Sequence, residues 1–127
     1  MPNFKIKLAA IYKIEHISGY YYIGMSVDVF SRWESHYTSI KTGSHSSPAF
    51  QKLWESTKPE EWSFTILEYI SKTDFKKSIK LKKDPQLKVT EKSIDYLFRH
   101  ELLIKEREWM NKYSRNFALN KDNKYFS

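Results

Sequence analysis

The sequence holds a small set of residues whose types and spacing suit acid–base catalysis and the stabilisation of charge. They are Tyr12, Tyr22, Arg32, His36, Glu101, Glu106 and Glu108. A guanidinium can bind two oxygens of an anion at once, and a carboxylate can act as a base or hold a cation. Taken singly, each residue has a simpler explanation, because strand tyrosines usually belong to the core and helical charged residues usually face solvent. Their convergence in one cleft would make a site.

The three glutamates occupy different faces of the predicted C-terminal helix. At about 100° per residue, Glu106 falls on the most aromatic face. Its neighbours there are Leu102, Trp109, Met110 and Tyr113. A second apolar stripe surrounds Glu101, namely Ile94, Leu97 and Ile104. A carboxylate on an apolar face is costly unless it is paired or binds a cation, so Glu101 and Glu106 both qualify as metal ligands, whereas Glu108 beside Lys112 is predicted to be solvated.

Two short apolar segments position the tyrosines. Residues 8–14 and 20–24 are rich in Ile and Tyr, and residues 16–19 between them end in Gly19, which is a turn signal. This pattern predicts an antiparallel hairpin with Tyr12 and Tyr22 on adjacent strands. Strand alternation places Tyr12 on one face with Ala10 and Ile14.

Helical periodicity follows the hairpin. Asp28 is a predicted N-cap, and apolar residues then recur at spacings of three and four. They are Phe30, Trp33, Tyr37 and Ile40. Arg32 and His36, four residues apart, share a face of this helix, which Gly43 ends. Ser47 followed by proline predicts a short helix over residues 48–55.

The remaining elements complete an α+β pattern. Residues 62–70 predict a third strand, Thr90 is a plausible cap for a long helix that ends near residue 113, and residues 116–127 predict a polar tail. We therefore expect a small three-stranded, antiparallel-rich sheet flanked by helices, formed by residues 1–127 as a single domain.

A Lys-rich stretch interrupts this pattern at about residues 72–92. It holds eight lysines against three acidic residues, and it predicts a short helix plus a loop inserted between core elements. Two interpretations are equally favoured. Either the stretch is a solvated loop, or Lys80, Lys82 and Lys83 contact the phosphate backbone of DNA.

Composition excludes several classes of protein. The 127 residues contain no cysteine, which excludes a disulfide framework, a zinc site with cysteine ligands and a cysteine nucleophile. No segment reaches the length of a membrane span and the N-terminus lacks a signal peptide, so we expect a soluble cytoplasmic protein without a membrane partner. The net charge of +7 favours a polyanionic partner.

The two predicted strands and the helix after them carry a signature. Ala10-Ile11-Tyr12 is followed, after nine intervening residues, by Tyr22-Ile23-Gly24, and then by Arg32 and His36. This order and this spacing resemble those of the GIY-YIG nucleases. The first glycine of the signature is Ala10 here, a change of one methyl group on a strand.

Further short motifs resemble those in the catalytic domains of phage intron-encoded homing endonucleases of that superfamily. They are the loop Gly43-Ser44-His45-Ser46-Ser47, the strand at 64–68, Lys105-Glu106 followed by Trp109, and Asn120. The resemblance covers about residues 8–71 and 97–120, and the Lys-rich stretch is longer than the family's linker.

The resemblance implies metal-dependent hydrolysis of DNA phosphodiester bonds, with Mg²⁺ or Mn²⁺ as the metal. It implies that Tyr12 is the general base, that Arg32 stabilises the phosphate charge and that Tyr22 orients the phosphate or the water. The Lys-Glu-x-x-Trp context favours Glu106 over Glu101 as the metal ligand.

The same resemblance gives supporting roles to other residues. His36 and His45 support the reaction, with His45 as a candidate phosphate contact, and Lys13 is a candidate to lower the pKa of the catalytic tyrosine or to bind DNA. Gly24 and Asn120 are implied to be structural, with Asn120 fixing the end of the last helix.

Two other functions remain open, a non-catalytic nucleic-acid-binding module on the same fold and a restriction or repair nuclease of the superfamily. DNA is the expected partner, and a dimer on DNA is an alternative to a monomer. Because homing enzymes commonly join this domain to a separate DNA-reading domain, the chain is either a catalytic fragment or a nuclease that acts alone.

Overall fold

A computed structural model of the chain describes residues 7–82 and 90–120. It contains three strands, β1 (Ala10–His16), β2 (Tyr21–Ser26) and β3 (Trp62–Tyr69), in the order β2–β1–β3. Both neighbouring pairs are antiparallel. Helices pack on the two faces of this sheet, which confirms the predicted α+β class.

The predicted hairpin is confirmed, with β1 as the central strand. Its turn contains Gly19 at a φ of +100°, a left-handed conformation that glycine adopts without strain. Both strands run two residues further toward their C-terminal ends than predicted. The apolar pattern missed these ends because polar residues extend the pairing, with Glu15 opposite Tyr21 and His16 opposite Trp62.

Two helices cover the face of the sheet that carries Tyr12. They are α1 (Val29–Lys41) and α2 (Pro48–Glu55), and both begin at the predicted caps. Asp28 accepts a hydrogen bond from the Ser31 amide, and Ser47 accepts one from the Phe50 amide. The buried core on this face comprises Ala10, Tyr12, Ile14, Val29, Ile40, Phe50 and Leu119.

Helix α4 (Glu91–Met110) covers the opposite face, capped at Thr90 as predicted. The buried core there comprises Ile11, Tyr21, Ile23, Phe98, Leu102 and Met110. The helix ends three residues earlier than predicted, because Asn111 closes it and the chain then turns; Tyr113 still packs against this core.

The Lys-rich stretch begins with a helix, α3 (Lys72–Lys82), as predicted. Lys72 pairs with Asp95 and Lys76 pairs with Glu91, so these two lysines join α3 to α4. Residues 83–89, and with them Lys83, lie outside the described residues, as do the side chains of Lys80 and Lys82. No helix within 7–82 or 90–120 combines the length and the apolar character of a membrane-spanning segment.

The segment after α4 is not the polar tail that the sequence predicted, at least as far as residue 120. Ala118 forms a parallel bridge with Tyr21, and the Leu119 amide donates to the Tyr21 carbonyl at 2.6 Å. The prediction was wrong because Ala118 and Leu119 pack into the cores on opposite faces of the sheet, which the surrounding polar residues conceal. Residues 121–127 lie outside the described residues.

Candidate active site

Tyr12 lies at the centre of the sheet and is 1 % exposed. The pairing of β1 with β3 shifts register between Ile11 and Tyr12, a bulge of the kind that re-aims a side chain beside a functional site. Tyr12 pairs with Gly24 on β2, and its phenol covers that glycine. A Cβ at Gly24 would clash with the phenol oxygen and lie 2.5 Å from the ring carbon that bears it, so glycine is required there.

Arg32 reaches both phenols from α1. Burial raises the pKa of Tyr12 above its usual value, Tyr22 raises it further, and Arg32 opposes the shift. Burial also raises the pKa of Tyr22, and Arg32 opposes it there too. Arg32 itself is exposed, so its guanidinium lies between two half-buried or buried phenols and the solvent. A phosphate approaching from solvent would meet this guanidinium first.

His36 joins the phenols to the loop before α2. Its Nε2 atom lies 2.6 Å from the Tyr12 oxygen, and its Nδ1 atom lies 2.7 Å from Nε2 of His45. The His45 Nδ1 atom accepts a hydrogen bond of 2.9 Å from the Ser47 amide. Burial, Arg32 and His45 together lower the pKa of His36 to about 3, so this ring is neutral at physiological pH.

Glu106 approaches the same cluster from α4 on the other side of the sheet edge. The half-buried carboxylate accepts a hydrogen bond from the Met25 amide at the end of β2. Burial raises its pKa to about 7, although the Met25 amide and Arg32 both favour the ionised form. Its charge also raises the pKa of Tyr12 and Tyr22, which places it within electrostatic reach of both phenols.

Glu68 on β3 fixes the rotation of α4 through two contacts that we call the Glu68 clamp, and sequence reasoning missed this residue. Its carboxylate accepts a hydrogen bond of 2.9 Å from Trp109 Nε1 and forms an ion pair of 3.4 Å with Lys105. Lys105 and Trp109 are four residues apart, so they share a helix face. The Lys-Glu-x-x-Trp word was the available signal, because its outer residues hold the helix to β3 while Glu106 turns toward β2.

The site suits a cation that takes one protein carboxylate. Among residues 7–82 and 90–120, no cluster of three His, Asp or Glu side chains could hold a metal. Mg²⁺ commonly binds one or two carboxylates and takes its remaining ligands from water and substrate phosphate. Glu106 fits that donor set, because its carboxylate is half-buried near two phenols and a cation would compensate its desolvation.

Glu101, the rival metal candidate, lies on a different side of α4. Five residues separate it from Glu106, so the two side chains point about 140° apart. The apolar stripe expected around it is partly solvent-facing, because Leu97 is 40 % exposed and Ile104 is 41 % exposed. The structure therefore brings Glu106, and not Glu101, to the phenols.

Two predicted DNA contacts have other partners in the structure. Lys13 lies on the α4 face of β1, where it pairs with Glu15 at 3.2 Å and covers the Tyr113 ring. It does not join the Tyr12 cluster, so the expectation that it lowers that pKa was wrong. His45 is buried with both ring nitrogens engaged, so a phosphate contact would require one of these bonds to break.

Asn120 is structural, but it does not fix the end of a helix. Its side-chain amide donates to the Ile23 carbonyl at 2.6 Å, and its carbonyl accepts from the Ile23 amide at 3.1 Å. It thus satisfies the backbone hydrogen-bonding groups of Ile23 on the edge of β2 that does not pair with β1. The expected role at the helix end was wrong because residues 118–120 run back along the sheet.

Two solved structures resemble the chain over most of its length. The catalytic domain of the intron endonuclease I-TevI, in a mutant form, matches with a TM-score of 0.63 and 19 % identity, covering 94 % of this chain and 99 % of that one. A second structure of the catalytic domain of the homing endonuclease I-TevI matches with a TM-score of 0.60 and 19 % identity, covering 90 % and 98 %. The chain has the fold of this catalytic domain.

No protein-family model matches the sequence, and comparison with curated proteins finds no match. At 19 % identity the likeness establishes the fold alone, and the chemistry rests on the chain's own residues. Within that fold, four elements bring the candidate residues together at one edge of the sheet, which we call the β2 edge. These residues are Tyr12, Tyr22, Arg32, His36 and Glu106.

Proposed function

We propose that this protein is a DNA endonuclease that hydrolyses phosphodiester bonds with a divalent cation. The observation that carries the proposal is the meeting of two phenols, one guanidinium and one half-buried carboxylate at the β2 edge. A structural explanation of the cluster is weak, because burial opposes the ionisation of all four of these groups. The likeness to homing endonuclease domains favours the homing type over a restriction or repair nuclease.

Each residue has a role that its position supports. Arg32 binds two oxygens of the scissile phosphate and stabilises the charge that develops on them. Tyr12 lies beside that guanidinium; after its own proton has passed to solvent water, the phenolate accepts the proton of the attacking water and becomes a phenol again. Tyr22 orients the phosphate from the same side of Arg32.

Glu106 is the proposed ligand of the cation. Mg²⁺ or Mn²⁺ bound there would supply positive charge to the phosphate oxygens and the leaving group. The carboxylate itself would bind and orient the cation. The Met25 amide donates a hydrogen bond to it, and the Glu68 clamp on α4 fixes its direction.

In this proposal the DNA backbone runs along a groove between α3 and α4. This α3–α4 groove, with a volume of about 570 Å³, is lined by Lys7, Lys72, Asp95 and Arg99 among other residues. Asp95, its acidic residue, pairs with Lys72. Arg99 precedes Glu106 by seven residues on α4, so it lies on nearly the same helix face, about 10 Å away. A strand bound at Glu106 could therefore place a neighbouring phosphate near Arg99.

Further DNA contacts remain proposals. Lys80, Lys82 and Lys83 come after Lys72 in the sequence. In this proposal they add contacts to DNA phosphates that do not depend on the base sequence. A dimer on DNA would be one way to cut both strands, because one cluster of this kind serves one phosphate at a time.

Plasmid cleavage tests the proposal. We expect the protein to nick or linearise supercoiled plasmid with Mg²⁺ and to leave it intact with EDTA. A protein that retards DNA in a gel without Mg²⁺ but never cuts it, across Mg²⁺ and Mn²⁺ titrations, would instead be the non-catalytic binding module. Inclusion of the Arg32→Ala variant as a matched control excludes a contaminating nuclease.

A further inference from the structure

A buried chain of hydrogen bonds continues from the Tyr12 phenol to the loop before α2. It passes from the phenol oxygen to His36 Nε2 at 2.6 Å, from His36 Nδ1 to His45 Nε2 at 2.7 Å, and from His45 Nδ1 to the Ser47 amide at 2.9 Å. We call this the histidine chain. His36, His45 and Ser47 are 5 %, 9 % and 0 % exposed, so the protein supplies the partners of these ring nitrogens.

The direction of the histidine chain is set at its far end. A backbone N–H can only donate, so His45 Nδ1 accepts and carries no proton. The proton of that ring is then on Nε2, which donates to His36 Nδ1. By the same reasoning His36 carries its proton on Nε2, which donates to the Tyr12 oxygen.

We propose that His45, oriented by the Ser47 amide, is a positioning residue that holds His36 as a hydrogen-bond donor to Tyr12. The phenol oxygen of Tyr12 accepts from His36, so its own proton points away from the histidines and toward the cleft that Arg32 and Glu106 border. His36 therefore stabilises the phenolate that forms when this proton passes to solvent water in the cleft, and it is not the acceptor of the proton.

The Ser47 amide is held in place from several directions. The Ser47 hydroxyl donates to the Leu119 carbonyl and accepts from the Phe50 amide at 3.2 Å. The His45 amide donates to the side chain of Gln51 at 3.3 Å, and that side chain donates in turn to the Ile40 carbonyl. The loop thus bridges α1, α2 and the segment along β2, so the amide cannot turn away from the ring.

The charge state of the two rings agrees with this direction. Burial and Arg32 lower the pKa of both His36 and His45, which keeps each ring neutral at pH 7. Geometry leads to the same conclusion, because a second proton on His36 Nδ1 would face the N–H of His45.

The tautomers can be observed directly by ¹⁵N NMR of histidine-labelled protein without metal at pH 7. The chain has four histidines, and single substitutions of His16 and His100 assign the other two signals. We expect both His36 and His45 as the Nε2–H tautomer. Protonation of His36 at Nδ1, or of either ring at both nitrogens, would overturn the proposal. This result does not depend on nuclease activity, so it is separable from a failure of the proposed function.

Kinetics on two variants of similar size test the positioning role, which rests on the proposed function. The amide of His45→Gln can still donate to His36, whereas His45→Met has no donor. We expect His45→Met to lower kcat by about 10- to 100-fold, and His45→Gln by less than about fivefold. KM and metal-free DNA affinity should change by less than about twofold in both. The exposed His100→Met is the control.

Wild-type kcat in His45→Met, or an equal loss in both variants, would show that the hydrogen bond from His45 does not position His36. A weaker DNA affinity with unchanged kcat would indicate the phosphate contact instead, and it would likewise overturn the proposal.

Discussion

At the scale of the residue, the site gathers groups whose ionisation the fold disfavours around a single guanidinium. Burial raises the pKa of Tyr12, raises that of Glu106 to about 7 and lowers that of His36 to about 3. Arg32 is the charged group that opposes the first two shifts and reinforces the third. The resting site therefore carries little negative charge, which favours the approach of a phosphate.

Arg32 is expected to act mainly in the transition state. Arg32→Ala should lower kcat by about 10²- to 10³-fold, because a preorganised donor to a developing charge is lost. Arg32→Lys keeps the charge but not the two-pronged geometry, so it should recover only part of the rate. Single-turnover cleavage measures both effects, with Lys41→Ala on the same helix as the control. Near wild-type cleavage by Arg32→Ala would remove it from the mechanism.

Glu106 should make the metal-free protein less stable as the pH rises. Its folded pKa of about 7 exceeds the unfolded value of 4.5, so the folded state binds more protons between these pH values. Relative to Glu106→Gln, the wild type should be about equally stable at pH 4 and up to about 3 kcal/mol less stable at pH 8.

Urea unfolding in EDTA at the two pH values measures this difference between the two proteins. Mg²⁺ should then stabilise the wild type at pH 8 and leave Glu106→Gln unchanged, since a ligand stabilises the state that binds it. A stability difference that is the same at both pH values would show that this carboxylate is not desolvated in the fold.

Residue types and spacing predicted the members of the site better than their partners. Tyr12, Arg32 and Glu106 were each recognisable from a short motif that resembles a nuclease signature, and the structure brings these three residues within electrostatic reach of one another. Glu68 and the direction of the histidine chain were not, because they depend on which side chains meet across elements. The Lys-Glu-x-x-Trp motif marks Trp109 but does not indicate which strand its side chain contacts.

At the scale of the element, two features aim the side chains at one another. The bulge at Ile11/Tyr12 reorients β1 against β3, and the Glu68 clamp fixes the rotation of α4. Tyr12 and Glu106 come from opposite faces of the sheet, so both features are needed for them to reach the same edge.

Loss of the clamp should lower activity through α4. Glu68→Ala removes both the hydrogen bond from Trp109 and the ion pair with Lys105, and we expect a loss of about tenfold in kcat as Glu106 moves. Glu68→Gln keeps an acceptor for Trp109 and should lose less. Tryptophan fluorescence reports the environment of Trp109, and Glu108→Ala is an exposed control on the same helix. Unchanged kcat in Glu68→Ala would mean that packing alone orients α4.

The periodic elements were predictable and the last segment was not. Helix α2 has the predicted bounds, because Ser47 and Pro48 encode its start. Residues 118–120 looked like a tail because a three-residue apolar and polar mixture has no period. Its structure is decided by the unpaired edge of β2, which lies about 100 residues earlier in the chain.

At the scale of the whole molecule, the net charge of +7 suits a polyanion, and the α3–α4 groove is where we place it. Helix α2 lies on the opposite face of the sheet, so its lysine, Lys52, provides a matched test of position. Non-specific electrostatic attraction of DNA would depend on the number of positive charges, whereas binding of DNA along one groove depends on the positions of those charges.

Arg99→Ala should weaken metal-free DNA binding and reduce the slope of log K against log salt by about 0.9, as for one lost phosphate contact. Lys52→Ala removes the same charge from the other face and should leave the slope within error. Fluorescence anisotropy on a short duplex across a salt series measures both. Equal effects of the two variants would mean that the groove is not the path of the DNA.

The most direct test of the account compares two glutamates five residues apart on one helix. Glu106→Gln and Glu101→Gln each remove one carboxylate charge from α4 and keep its size, and both are assayed on one DNA substrate across a Mg²⁺ titration. The account predicts that Glu106→Gln loses cleavage at every Mg²⁺ concentration while still binding DNA, and that Glu101→Gln cleaves as the wild type does. Cleavage by Glu106→Gln together with its loss in Glu101→Gln would contradict the placement of the metal at the β2 edge.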